Sequence, residues 1–289
     1  MKIAIFSIDA NDEIKRVVDN IFDISINKNI SFHIYFKLFE SLNLKDHNVF
    51  NNYMDLDSDL DLMISIGGDG TFLRTLNIIR DKGIPVLGIN TGRLGFLSTI
   101  NHENISKFYN DIISSNYKVE ERTTVIVKVL NSKILEGIFC TALNEISIVR
   151  KNTTSLLNIK TQLDDEFLNS YWSDGLIVST PTGSTGYSLS CGGPIISPNS
   201  NSLILTPISP HNLNARPIVI SDKTKITINV SGREDFHLLS IDTKSVSLKH
   251  GNSIIIEKSP IKFKLVKLDG NSYYETLREK LFWGKDKRN

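Results

Sequence analysis

The 289-residue chain predicts an α/β N-terminal domain with a parallel sheet over 1–115 and an all-β, two-sheet sandwich over 116–270. A helical segment over 271–289 closes the chain and can pack back on the first domain. Three observations carry this. Up to residue 115, short apolar runs alternate with helically spaced segments, the signature of strands and crossover helices. After residue 120 the hydrophobic period falls to two, as in strands with one face in a core. At this length, with 40% apolar and 22% charged residues, there is material for two cores.

In the first part, 3–8 reads as a strand, 12–26 as a helix, 32–36 and 62–66 as strands, and 85–89 as another strand. The helix after Thr71 places Phe72, Leu76 and Ile79 on one face, and Gly83 stands where a C-cap is expected. In an open parallel sheet, ligands bind beyond the carboxyl ends of the strands, where 67–70 and 90–95 both fall. In the second part, 125–129, 225–230 and 261–265 alternate, separated by turn residues such as Ser231 and Gly232 and, farther on, 250–252. The last segment, 273–283, returns to helical spacing with Tyr274, Leu277 and Leu281 on one face.

Composition removes several classes of function. Lys and Arg number 33 against 32 Asp and Glu, so a net charge of +1 gives no field for nucleic acid or a membrane surface. No apolar run approaches the ~18 residues that span a bilayer, and the N-terminus has no signal-peptide pattern. Cys140 and Cys191 show no metal-type spacing and make no disulfide framework, so a cytoplasmic location is expected. None of the six histidines has another at i+3 or i+4, which argues against a zinc site.

Two glycine clusters remain. The strand 62–66 runs into Gly67, Gly68, Asp69, Gly70 and Thr71. The glycines can take φ > 0 and let the main chain approach a phosphate, which would then face a helix N-terminus. A plain strand-to-helix turn with one polar residue is the simpler alternative. The second cluster follows the strand 176–179. Pro181 ends the ladder there, and Thr182, Gly183, Ser184, Thr185, Gly186, Tyr187 and Ser188 form a hydroxyl-rich loop suited to a polyhydroxylated or nucleotide ligand.

Together, residues 67–71, 91–96, 143–145, 174–175, 180–190 and 210–217, in that order, resemble the NAD kinase family over most of the chain. The resemblance implies transfer of the γ-phosphoryl group of ATP, with a divalent metal ion such as Mg²⁺, to the 2′-hydroxyl of the adenosine ribose of NAD. It implies Asp69 as the catalytic residue that aligns or deprotonates this hydroxyl; helping to hold the metal is the open alternative, and no metal ligand is assigned. Gly67, Gly68, Gly70 and Thr71 are then phosphate contacts. Asp69, Gly70, Arg74, Phe96, Asn144, Glu145, Asp174, Thr185, Gly186, Tyr187, Ser188, Leu189, Ser190 and Lys244 are the NAD contacts, with Asn144 and Glu145 holding a ribose. Self-association as a homodimer or homotetramer is also implied. Trp172 stands where Arg is common, which leaves NAD against NADH open, and Lys244 stands where Gln is common, keeping a donor but adding a charge to that contact. A lipid or sugar-phosphate kinase sharing only the Asp69 turn, or an NAD(P)-binding sensor without turnover, are the competing readings. No Walker-type loop is present, so the ATP contacts are not assigned.

Overall fold

The computed structural model describes every residue except 93, 94, 99, 103, 104, 153, 154, 271 and 283–289, and the side chains of 106–108 are likewise outside it. Two compact units are formed, 1–121 with 264–289, and 122–263.

The first unit runs β1 (Lys2–Phe6), α1 (Asp12–Ser25), β2 (Ser31–Tyr35), α2 (Phe36–Ser41), β3 (Asn48–Phe50), β4 (Leu62–Ile66), α3 (Asp69–Ile79), β5 (Val86–Asn90), β6 (Ile100–Asn101), α4 (Ile105–Ile113) and β7 (Lys118–Arg122). β3, β2, β1, β4 and β5 lie side by side and parallel. Such a sheet is covered on both faces, and every residue of its inner strands β4 and β5 is buried. Asn11 starts α1 by accepting the Ile14 N–H on its side chain at 2.9 Å, and Ile14, Val17, Val18 and Ile21 line the face turned to the core.

The second unit begins with β8 (Val125–Val129), β9 (Thr141–Ala142), β10 (Glu145–Arg150), β11 (Leu157–Leu163), β12 (Glu166–Ser173) and β13 (Gly175–Ser179). A 3-10 turn (Thr182–Thr185) and the short α5 (Tyr187–Ser190) follow, then β14 (Ser202–Ile208), β15 (Ile218–Ser221), β16 (Ile226–Ser231), β17 (Phe236–Ile241), β18 (Lys244–Lys249) and β19 (Ser253–Lys258). Two antiparallel sheets result, in the orders β15-β14-β13-β10-β17-β18 and β12-β11-β16-β19-β8-β9. Ile146, Ile148, Leu176, Val178 and Leu239 of one sheet and Val127, Ile159, Ile228 and Ile256 of the other share one core. The chain ends with β20 (Phe263–Lys267) and α6 (Tyr273–Leu281).

The fold class predicted from periodicity is thus the one observed, with local corrections. The segment 261–265 was expected among the β-domain strands; instead β20 enters the first unit's sheet between β5 and β7, parallel to β5 with Leu265 opposite Val86. Period-two alternation reports one buried face and carries no information about which sheet supplies it. Phe36 belongs to α2 rather than to the strand before it. α3 stops earlier than Gly83 suggests: Arg80 takes the left-handed turn at φ 47° and Gly83 follows at φ 65°. In α6, Leu277 and Thr276 are buried whereas Tyr274 is 60% exposed, so the predicted Tyr274-Leu277-Leu281 face is not the packed one; residue 283 lies outside the described residues.

Candidate functional site

In the first unit the end of β4 delivers the chain into Gly67, whose φ of 140° suits glycine alone. A Cβ there would sit 2.6 Å from Thr71 Oγ1. Gly68 is extended and caps α3, and Gly70 is helical, so only one of the three expected glycines uses a positive φ. A Cβ on Gly68 or Gly70 would meet nothing within 4 Å, so the main chain is open to an approaching group at both. The first N–H groups of α3 have no intrahelical acceptor and carry the helix's partial positive charge. Thr71 is buried beneath this turn, and Arg74 is exposed one turn along.

Asp69, in the first turn of α3, reaches across to the segment after β5. Its Oδ2 accepts the Phe96 N–H at 2.9 Å, and its Oδ1 accepts those of Leu97 and Ser98, both at 3.1 Å. The approach is possible because residue 95 is glycine; a Cβ there would lie 1.9 Å from Asp69 Oδ1. A carboxylate has about four acceptor positions, so these bonds leave one, on Oδ2. Phe96 therefore meets Asp69 through its backbone, while its ring stands 6.4 Å from that of Tyr273.

In the second unit, register gathers the other expected residues. β10 pairs with β13 so that Glu145 faces Ser179, and with β17 so that Ile146 faces Ile241. The start of β10, the loop after β13 and the turn between β17 and β18 thus lie at one end of one sheet. The bend before β10 is locked to the loop: Thr180 N–H donates to the Asn144 carbonyl at 2.9 Å and Thr180 Oγ1 to the Leu143 carbonyl at 2.6 Å. Gly183 packs where a Cβ would sit 2.1 Å from the Asn144 carbonyl oxygen. Gly186 then passes the pair itself, its Cβ position lying 3.2 Å from Glu145 Oε2 and 3.5 Å from Asn144 Nδ2.

Asn144 Oδ1 and Glu145 Oε2 are both buried and have no hydrogen-bond partner among the described residues. Burial, reinforced by the neighbouring Asp242 carboxylate, pushes Glu145 up to about 8. Asp242, itself pushed up to about 6 by burial against the pull of three backbone hydrogen bonds, sits in the β17–β18 turn at φ 48°. Buried polar atoms without partners are rare in folded proteins, and these two belong to adjacent residues.

The remaining expected contacts divide. Tyr187 is 42% exposed and Ser190 is exposed, with Thr185 and Leu189 half-buried. Ser188 is buried with its hydroxyl 2.8 Å from that of Thr206, so it serves the packing of α5 against β14. Asp174 is held by Arg150 at 3.0 Å. Lys244 opens β18 beside Cys140, whose thiol it influences electrostatically. Arg150 and Asp242 were absent from the sequence-based site: a lone Asp in a two-residue turn reads as turn chemistry. Among the described residues no three His, Cys, Asp or Glu side chains gather to hold a metal ion.

Family models describe two segments of this chain. The ATP-NAD kinase N-terminal domain matches residues 17–117 and the ATP-NAD kinase C-terminal domain matches 143–268. A curated NAD kinase of Flavobacterium psychrophilum is 46% identical over the full length of both chains, and one of Christiangramia forsetii is also 46% identical over both full lengths. The chain belongs to the NAD kinase family. Among solved structures of this family, yeast NADH kinase complexed with NADH superposes with a TM-score of 0.89 at 25% identity, covering 99% of this chain and 89% of that one. An NAD kinase from Archaeoglobus fulgidus in complex with ATP gives 0.75 at 26% identity, covering 98% and 99%. These NAD kinase relatives favour neither a lipid or sugar-phosphate kinase nor a sensor without turnover.

Proposed function

We propose that this protein transfers the γ-phosphoryl group of ATP to the 2′-hydroxyl of the adenosine ribose of NAD, giving NADP. The observation that carries the reading is the pair of unpartnered polar atoms, Asn144 Oδ1 and Glu145 Oε2, on two side chains that both pass Gly186. A carboxylate beside an amide matches a ribose diol: the carboxylate accepts two hydroxyls and the amide both donates and accepts. Gly186 lets the sugar come close, and Tyr187, Thr185, Leu189 and Ser190 line the adenosine. Ser188 contributes by fixing α5. Asp174, oriented by Arg150, and Lys244 serve the remainder of the dinucleotide.

Phosphoryl transfer needs alignment and charge neutralisation more than covalent chemistry. The N-terminus of α3, with Gly68 and Gly70 exposed to approach, supplies main-chain N–H groups to phosphoryl oxygens. The acceptor position left on Asp69 Oδ2 takes a hydrogen bond from the attacking hydroxyl, with the carboxylate fixed in direction by Phe96, Leu97 and Ser98. A divalent metal ion such as Mg²⁺ would neutralise charge on the ATP phosphates. No described helix is long and apolar enough to cross a membrane. A cytoplasmic homodimer or homotetramer completes the reading, which sedimentation of the purified protein tests.

The test is direct: purified protein with ATP, Mg²⁺ and NAD, or NADH in a parallel reaction, followed by an NADP-specific dehydrogenase. Formation of NADP from NAD is expected, and NADPH is the corresponding product from NADH; absence of both above background would overturn the proposal.

A further inference from the structure

Three consecutive N–H groups pointing to one side are foreign to a strand, where they alternate. At the entry to β10 the Leu143, Asn144 and Glu145 N–H groups nevertheless converge on one carboxylate, that of Asp242, at 2.7, 2.9 and 3.0 Å. Such a concave run of N–H groups is an anion site, and here the protein supplies the anion from its own turn. The Asp242 N–H returns a bond to the Glu145 carbonyl at 3.0 Å, closing the connection in both directions. Asp242 can do this because it takes φ 48°, a conformation that Asp tolerates better than most residues.

We propose that Asp242 is the positioning residue of the dinucleotide site, holding the 143–145 backbone in the bend that presents the Asn144 amide and the Glu145 carboxyl together to a ribose. Both its oxygens hold backbone N–H groups and burial raises its carboxyl, so it acts on a ribose through those two side chains. Its carboxylate also sets the electrostatics behind Glu145. Tyr187 and Cys191 also feel Glu145, and burial raises both above their ordinary values. Asp242 is then the charge that opposes ionisation of Glu145.

The proposal rests on Asn144 and Glu145 being the ribose-binding pair, and the experiment separates the two. Steady-state kinetics of wild type, Glu145→Gln, Asp242→Asn and the double variant are measured from pH 6 to 9, with NAD and ATP varied in turn. Asn keeps the size of Asp242 but turns one acceptor into a donor facing an N–H. The expected result is a KM for NAD raised about tenfold or more, a KM for ATP within about twofold, and a pH profile of the NAD KM displaced to lower pH because Glu145 ionises more readily. In the Glu145→Gln background the added effect of Asp242→Asn should shrink and the pH displacement vanish. An NAD KM within twofold of wild type, an unmoved profile, or losses that only track the folded fraction would overturn the positioning role. Absence of NADP in wild type, or an unaltered NAD KM in Glu145→Gln, would instead overturn the underlying reading. Should Asp242→Asn not fold, amide resonances of wild type decide: those of 143–145 should titrate together with a midpoint near pH 6, where Asp242 takes its proton, and invariance there would overturn the proposal.

Discussion

Asp69 and Asp242 perform the same physical act in different units: each carboxylate gathers three consecutive backbone N–H groups. By the same count each keeps one acceptor position, on Oδ2, and they differ in where it stands: the Asp242 carboxyl is buried beside Glu145, that of Asp69 lies in the first turn of α3. Asp69 keeps an acceptor position on Oδ2, so Asp69→Asn should lower kcat by two orders of magnitude or more while the dissociation constant for NAD, measured by calorimetry, changes by less than about threefold. Near-normal kcat would remove Asp69 from the chemistry. Glu145 illustrates the opposite bargain, since burial without a partner is unfavourable to the charged form. Its folded value of about 8 lies above the 4.5 of an unfolded chain, so the native state binds more protons between these limits and stability falls as pH rises from 4.5 to 8. Glu145→Gln removes that loss. It should raise Tm, with the gain growing towards pH 8, and at the same time weaken NAD binding; a Tm difference independent of pH would contradict the assignment. Gly186→Ala probes the same spot from outside. Its Cβ would press on Glu145 Oε2 at 3.2 Å and on the Gly183 carbonyl at 3.1 Å without any forbidden φ, so a rise of about tenfold in the NAD dissociation constant with a change in Tm of only a few degrees is expected.

Among the elements, β17 carries a feature that period-two reading could not interpret. His237 alternates with Leu239 and Ile241 on the core face and is fully buried, with neither ring nitrogen bonded and the His250 ring 5.1 Å away. Burial, with His250 adding repulsion, lowers His237 to about 4. The unfolded chain takes up this proton near pH 6.5 and the native state only near 4, so stability present above 6.5 is lost as pH falls through that window, by about 3 kcal/mol for 2.5 units. His237→Leu should flatten the decline of Tm between pH 6.5 and 4; an unchanged slope would show that other groups drive it. The elements legible in the sequence were those with one dominant signal: β4 and β5 as continuous apolar runs, α3 with Phe72, Leu76 and Ile79 all buried, and β8 as alternation. Asn144, Glu145 and the 180–190 loop were legible because hydroxyls and glycines crowd where packing alone would place neither. What stayed hidden was long-range. The bonds from Asp69 to 96–98 and from Asp242 to 143–145 join residues 27 or more apart, and backbone donors leave no trace in side-chain identity.

For the whole molecule, the consequential long-range feature is β20. The sheet of the first unit is not a product of residues 1–121, because β20 is inserted between β5 and β7 only after the second unit has been traversed. Phe263, Leu265 and Val266 of this strand are all buried, and α6 follows with Leu277 buried. Without 264–289, β5 would keep β6 only at Ile89 and Asn90 and lose its partner at Val86, and β7 would have no neighbour on that side, which leaves apolar surface and backbone donors exposed together. The second unit differs, since all its strands from β8 to β19 lie within 122–263 and pair with one another. Expressed alone, 122–263 should therefore fold, giving a β-type circular dichroism spectrum, dispersed amide resonances and a cooperative melt. A fragment of 1–121 alone should lack a cooperative melt and aggregate, whereas 1–121 joined to 264–289 through a flexible Gly/Ser linker should recover one. Loop closure penalises a long intervening segment only weakly, so the insertion of 140 residues between β7 and β20 is thermodynamically tolerable as long as the second unit folds by itself. A cooperative melt from 1–121 alone would show that β20 is dispensable to the sheet, and an unfolded 122–263 would show that the second unit depends on the strands of the first.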